Sequence, residues 1–337
     1  MLMYILRRIL AAIVMLWVIS IVVFGIFYAT PTDPARLTCG KNCTPALIAA
    51  NRHYLGFDQS IYKQYGLFVK GVLVGRDFPN DEKLRKDNPS IVTHCGAPCL
   101  GYSPYRTELV SSVIKDAGGV TLSLSLGAFV VWIVCGVGAG IIAALFRGRF
   151  LDRFLVGLSL VFYSFPAFFI ALLAYNYLST KWQLFATPEY TDFTSNPYKW
   201  FIGLRLPWVT LASLYAAGYV RLTRAYMLET MGEDYLRTAR AKGLPERVVV
   251  MKHTLRAALT PIVTVAGLDL GGLLAGAAIT ETVFNFEGLG RTTVRAVSVF
   301  DLPVIVGVVL VGASFIVVAN LVVDVLYGVI DPRVRYA

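Results

Sequence analysis

Few side chains in this chain of 337 residues could do chemistry, and they are unevenly placed. Four of its five cysteines fall in two clusters, C-G-K-N-C at 39–43 and C-G-A-P-C at 95–99. Thiols at that spacing, Cys39, Cys43, Cys95 and Cys99, pair as disulfides in an oxidising compartment or hold a four-thiolate zinc ion. His53 and His94 share the stretch and read as ordinary surface histidines. Two carboxylates, Asp269 and Asp324, interrupt otherwise apolar runs. Charge in such a setting is functional by default. No G-x-x-x-x-G-K-[ST] phosphate-cradling loop occurs, so the chain is not itself an ATPase. No catalytic residue and no metal site is expected.

The elements that must position these groups follow from composition. The chain is 56% hydrophobic and 15% charged, where soluble proteins carry about 25% charged residues. That deficit excludes a soluble enzyme, a disordered chain and a nucleic-acid binder, despite a net charge of +10. Six apolar runs stand between the charges: Ile9–Ala29, Ala117–Phe146, Phe154–Thr180, Leu206–Val220, Ala257–Thr280 and Leu302–Ile330. About 20 apolar residues cross a bilayer as a helix. Barrel strands are shorter and alternate. The expected fold is therefore all-α and polytopic, with six transmembrane helices. The fourth run is the shortest, 15 residues between Arg205 and Arg221, and needs snorkelling arginines and the aromatic stretch 198–201 to complete it.

Charge asymmetry sets the orientation. With the N-terminus inside, fifteen Lys and Arg lie in inner segments and five in the two short outer loops, as the positive-inside rule requires. Both termini are then cytoplasmic. The first run, 21 residues, exceeds the 7–15 residues of a signal-peptide core and reads as an uncleaved span. Residues 1–30 make that span, 31–116 an extracytoplasmic loop or subdomain with a helix around Ile61–Val74, and 117–337 a core with five further spans and a cytoplasmic loop at 221–256. An outer loop favours disulfides over zinc, and four cysteines leave three pairings open. Cys135, inside the second run, reads as a small buried apolar residue.

The cytoplasmic loop carries the most specific pattern. Glu233 and Asp234 open a short helix where they complement its dipole. Arg240 and Lys242 close it, Gly243 follows as a C-cap, and Pro245 restarts the chain into a second helix over 246–253. The unit is a helix, a glycine turn and a helix, with a polar face shaped to enter a partner's groove.

Arg237-Thr238-Ala239, Gly243 and His253-Thr254-Leu255-Arg256 resemble the EAA signature of ABC-importer permeases. E-D-Y-L-R-T-A-R-A-K-G-L is similar to the version in the first permease of dipeptide, oligopeptide and nickel importers. The likeness extends to Y-I-L-R-R-I-L and P-T-D-P-A near the start, to L-P-W-V-T-L-A-S-L-Y-A-A-G-Y-V-R-L-T-R at 206–224, and to D-V-L-Y-G-V-I-D-P-R-V-R at 324–335. I-T-E-T-V-F-N-F-E-G-L-G-R at 279–291 is similar too, with Phe286 and Glu287 where the family has Trp and Pro. The cysteine-bearing part of the outer loop has no counterpart.

This resemblance implies a type I ABC-importer permease fold in the bacterial cell membrane. It implies a second homologous permease, one or two ABC ATPase subunits that bind the ATP and Mg, an extracytoplasmic binding protein and a peptide substrate. Nickel, haem or another small solute is the alternative cargo. A membrane receptor or secondary transporter is the rival class, disfavoured by the absence of an internal repeat. By position, Glu233, Asp234, Tyr235, Arg237, Thr238, Ala239, Arg240, Ala241, Lys242 and Gly243 form the ATPase-coupling helix. The small Ala239, Ala241 and Gly243 would permit close approach. Asp269 and Glu281 are placed on the translocation path. Asp324 is expected to pair with arginines at the inner end of the last span. Gly136 and Gly140 are expected to pack helices. The outer loop is expected to dock the binding protein or lid the path.

Overall fold

The computed structural model describes residues 2–29, 34–37, 44–56 and 58–330. The helices used below are α1 (Leu2–Ala29), α2 (Pro45–Leu55), α3 (Ile61–Val74), α4 (Val110–Leu145), α5 (Phe150–Ser164), α6 (Ala167–Lys181) and α7 (Pro197–Met231). They continue with α8 (Asp234–Ala241), α9 (Glu246–Leu274), α10 (Ala278–Val283), α11 (Leu289–Ser298) and α12 (Leu302–Ile330). Two short antiparallel ladders lie between α3 and α4. β1 (Arg76–Phe78) pairs with β2 (Thr93–Cys95), and β3 (Tyr102–Ser103) with β4 (Glu108–Leu109).

The chain divides into two compact units, Leu2–Gly119 with Glu287–Ser314, and Val120–Phe286 with the chain from Phe315. In the first, Ser20 and Tyr65 hydroxyls meet at 2.8 Å and Phe24 packs edge-on to Tyr65, which binds α3 to α1. The predicted helix over Ile61–Val74 is therefore present and anchored. Cys95 and Cys99 form a disulfide within the C-G-A-P-C cluster, while Cys39 and Cys43 lie outside the described residues. The Ser103 hydroxyl donates to the buried Asp301 carboxylate. Asp301 also opens α12, its carbonyl accepting from the Ile305 amide at 3.1 Å.

In the second unit the core gathers on α7. Trp132 of α4 stacks on Tyr215 with centroids 4.6 Å apart, and the Trp208 indole donates to the Ser123 carbonyl at 3.0 Å. A Cβ on Gly136 would lie 2.9 Å from the Ala216 Cα, and one on Gly140 would lie 2.6 Å from the Thr223 Cβ. Both glycines thus serve helix packing, as expected from their spacing. Asp152 near the start of α5 takes Arg224 of α7 in a two-pronged pair at 2.6 and 2.9 Å, and also accepts from the Gly148 amide.

The span reading is met in part. Among the described residues four helical stretches are long and apolar enough to cross a membrane: Leu6–Ile26, Val110–Leu145, Glu246–Leu274 and Leu302–Val323. The third predicted run is not one straight helix. It bends by 100° between α5 and α6, and counts as a fifth crossing only as a broken pair. Pro166 causes this, since it offers no amide hydrogen and drives Phe165 into the extended region (ψ 140°). The fourth run lies inside the 35-residue α7, which is not among those stretches. The fifth run stops at Leu274, because Gly276 (φ +135°) breaks the helix before Thr280. Cys135 is exposed on its helix rather than buried. Most large side chains of α1, among them Leu10, Ile13 and Trp17, are exposed too, which suits a helix whose surroundings are lipid.

Two expectations follow. Gly140→Ala must force its Cβ against Thr223 and is expected to destabilise the chain by about 1–3 kcal/mol. Gly157→Ala, with nothing within 4 Å, should be neutral or slightly stabilising. Thermal unfolding of both variants in detergent compares them. In the first unit, His53 sits between Asp58 (Nδ1–Oδ2 2.7 Å) and Asp81 (Nε2–Oδ2 2.9 Å). The hydrogen bond to Asp58, then that to Asp81, raises its pKa above 6.5. A raised folded value means that the stabilisation is full below the ordinary pKa and is lost as pH rises through the shifted one. Melting of the native chain should fall between pH 6 and alkaline pH by more than that of His53→Gln; equal slopes would refute the linkage.

Candidate functional site

Two places in the Val120–Phe286 unit gather the groups singled out by sequence. The first is helix α8, in the 221–256 segment. Glu233 occupies its N-cap position in extended geometry (ψ 142°), and Asp234 begins its first turn. At the other end the Gly243 amide donates to the Arg240 carbonyl (2.9 Å) and the Leu244 amide to Ala239 (3.4 Å). Gly243 itself is left-handed at φ +77°, so the predicted glycine C-cap is present. Pro245 then caps Glu246–Val248. The second helix does not stop at 253. It runs without a break through a π-helical stretch, Val249–Thr254, into the apolar part of α9.

Residues three apart share a helix face. Leu236 and Ala239 form the inner face of α8 and pack on Val249 of α9. Tyr235, Arg237, Thr238, Ala241 and Lys242 are exposed. Arg240 is tied down, its guanidinium taking both Glu246 oxygens at 3.1 and 2.8 Å, and that bond raises its pKa. Arg237 lies 3.6 Å from Asp234, with 77% of its side chain exposed. Such an exposed pair is worth little, so Arg237 is available to a partner.

One role given to a small residue needs correction. Ala239 does not open the outer face to close approach. It is buried and helps seat α8 on its own chain. Gly243 is left-handed, and a Cβ there would meet nothing of its own chain within 4 Å.

The second place is an open cavity of about 740 Å³ lined by Tyr163, Tyr215, Tyr219, Asp269, Leu273 and Ile279. Its size falls in the range of small-molecule sites. The buried Tyr219 donates its hydroxyl to Asp269 Oδ2 at 2.7 Å, and Arg221 lies over the Tyr163 ring at 4.6 Å. Gly271, on the same helix as Asp269, lets Ile316 and Ala319 of α12 approach to 3.2 and 3.0 Å of a Cβ position. A carboxylate among aromatic rings can accept hydrogen bonds from an ammonium or amide group and orient it.

Glu281 is not on this cavity. It is wholly enclosed, where Oε1 accepts from the Thr121 hydroxyl (2.8 Å) and the Ala277 amide (3.2 Å). It fixes the turn through Phe286, whose amide donates to the Glu281 carbonyl at 2.8 Å. The side chain of Asp324 lies outside the described residues. Sequence reasoning missed the tyrosines. Tyr215 and Tyr219 stand four apart on α7, one helical face, but nothing in that spacing names Asp269 as their neighbour.

If α8 owes its placement to the Leu236 contact, Leu236→Ala should loosen it by about 2–5 kcal/mol. The readout is limited trypsin digestion, with faster cleavage at Arg237, Arg240 and Lys242 than in the native chain. Unchanged cleavage would show that the loop is held otherwise.

The comparisons with known proteins bear on the whole chain. The family described as binding-protein-dependent transport system inner membrane component matches residues 136–336, and its N-terminal counterpart matches residues 1–125. The glutathione transport system permease protein GsiC of Escherichia coli strain K12 is 36% identical over 336 residues, 100% of both chains. GsiC of Shigella flexneri serotype 5b is 35% identical over the same full lengths. Among solved structures, the inward-facing MetNI methionine ABC transporter resembles 65% of this chain and 97% of its own, at 18% identity and a TM-score of 0.49.

Proposed function

We propose a role for this chain from the family it belongs to: it is a binding-protein-dependent transport system inner membrane component, a permease subunit of an ABC importer. As a membrane transport subunit it takes the ATP-hydrolysing step from partner ATPases. On that footing α8 is the coupling helix. It enters a groove of an ATPase subunit and passes the closure of that subunit to α9 and the spans behind it.

The observation that carries this reading is the geometry of α8. It ends at a left-handed glycine, is seated by Leu236 and Ala239, and exposes Tyr235, Arg237, Thr238 and Ala241. Because α9 is continuous from Glu246 to Leu274, a push on α8 through Val249 acts on a helix that also carries Asp269. The permease works beside a second homologous permease, six spans each, with both termini cytoplasmic. An extracytoplasmic binding protein delivers the substrate. That substrate is a short peptide, a class to which the glutathione named for the GsiC relatives belongs. The Asp269–Tyr219 cavity lies on its route, with the carboxylate as acceptor for the ammonium or amide groups of the peptide.

Two variants separate coupling from passage. Arg237→Glu, at an exposed position, is expected to leave membrane yield and melting unchanged and to lower substrate-stimulated ATP hydrolysis by about tenfold or more, the scale of an interface hot spot. Undiminished hydrolysis would reject the docking role of α8. Asp269→Asn keeps the volume and removes the charge. Peptide uptake should drop by about tenfold while the ATPase subunits still co-purify, and full uptake would take Asp269 off the path.

A further inference from the structure

A second cavity, in the Leu2–Gly119 and Glu287–Ser314 unit, has an architecture the import reading does not use. It measures about 100 Å³ and is walled by Phe24, Phe68, Phe78, Tyr102 and Pro303, with Arg76 among them. Along a strand, alternate residues share a face. Arg76 and Phe78 point to one side of β1, where the guanidinium lies 4.4 Å above the Phe78 ring. Asp77 points to the other, where it meets His94 at 2.6 Å and Arg85 at 3.6 Å. The adjacent carboxylate is thus committed elsewhere. Arg76 makes no ion pair or side-chain hydrogen bond with any described residue, and its Nε is enclosed without a partner. Gln64, also on the wall, already donates its amide to the Gln59 carbonyl at 2.8 Å.

The position of Arg76 is built rather than incidental. Gly71 leaves room for its stem, since a Cβ there would lie 3.2 Å from Arg76 Cδ. Gly75 is left-handed at φ +87° and would bring a Cβ to 2.7 Å from the Cys95 carbonyl. Arg76 stands opposite Cys95 in the ladder, the Cys95–Cys99 disulfide closes the return, and the Cys99 amide donates to the Gly71 carbonyl at 3.1 Å. Burial lowers the Arg76 pKa to about 10, so at neutral pH the group is still charged. Arg76 is half-buried, and a partly desolvated charge with no counter-charge among the described residues gains from a partner.

We propose that this cavity binds a small molecule ending in a carboxylate, with the anion on the Arg76 guanidinium and its apolar stub against Phe68, Phe78 and Tyr102. A planar guanidinium matches a carboxylate with two parallel hydrogen bonds. Arg76 is the only cation among the residues that line the cavity, where a multiply charged phosphate or sulfate calls for more than one. The volume lies well under the 300 Å³ or more of larger ligand sites, which admits a carboxylate and one short side chain. Two sources carry that chemistry, a free short-chain acid and the C-terminal residue of a short peptide. The second rests on the peptide-import reading, and the first does not.

Calorimetric titration of the purified full-length chain in lipid nanodiscs tests the site. The probes are isovalerate and the dipeptide Ala-Leu, each against its own carboxamide. At least one acid should bind, with its amide weaker by about tenfold or more, as expected for loss of a charge-assisted pair. Isovalerate binding alone identifies a free-acid site, and Ala-Leu binding alone identifies a peptide terminus. Arg76→Gln should lose about tenfold or more in affinity, and Arg76→Lys, which keeps charge without the fork, should fall between. If Arg76→Gln shows no cooperative melting, the acid–amide contrast in the native chain and the Lys variant decide. Equal binding of acid and amide, no binding of either acid, or full affinity in a folded Arg76→Gln would each overturn the proposal. Lost binding with import intact removes this site alone. Lost import with binding intact leaves it standing.

Discussion

Close approach of other helices to α7 is the constraint on which the Val120–Phe286 unit depends. Gly136 and Gly140 bring the α4 backbone within reach of Ala216, Tyr219 and Thr223, and Trp132 covers Tyr215 beside them. Dispersion contacts at that distance, rather than hydrophobic exclusion, hold helices together where the surroundings are as apolar as the side chains. Near its C-terminal end the same helix carries Arg224, which Asp152 takes with two oxygens. Midway it carries Tyr219, which reaches Asp269 of α9. One helix therefore sets the positions of α4, α5 and α9.

The tight α4–α7 seam and the looser cavity side serve different ends. Glycine contacts have no slack and fix a distance. The Tyr219–Asp269 bond lines an open cavity of about 740 Å³ and can be exchanged for a bond to a ligand. In the 221–256 segment the division is the same. Leu236, Ala239 and Val249 form a small fixed contact, while the outer face of α8 is left free.

The Leu2–Gly119 and Glu287–Ser314 unit solves a different problem. Its ladders are only two and three residues long, too short to be stable alone. The Cys95–Cys99 disulfide and the Ser20–Tyr65 and Phe24–Tyr65 contacts to α1 supply what the ladders lack. That scaffold also holds the half-buried Arg76 over the Phe78 ring.

Sequence alone determined where the chain is apolar, because bilayer length and charge exclusion act on single runs. The run from Leu302 to Ile330 is a helix with those same bounds. It also determined α8, whose acidic start, basic end and left-handed glycine are local signals that need no neighbour. Two departures were local as well: the bend at Pro166 and the break at Gly276 were written in residues that the apolar pattern overrode. Tertiary structure alone decided the pairings, since no periodicity says which helix meets which. Only the fold turned Glu281 into an enclosed brace, Ala239 into a seat, and Asp269 and Tyr219 into neighbours fifty residues apart in sequence. Likewise, Arg76 looks like any surface cation in the sequence. Its isolation arises because strand alternation sends Asp77 to the opposite face.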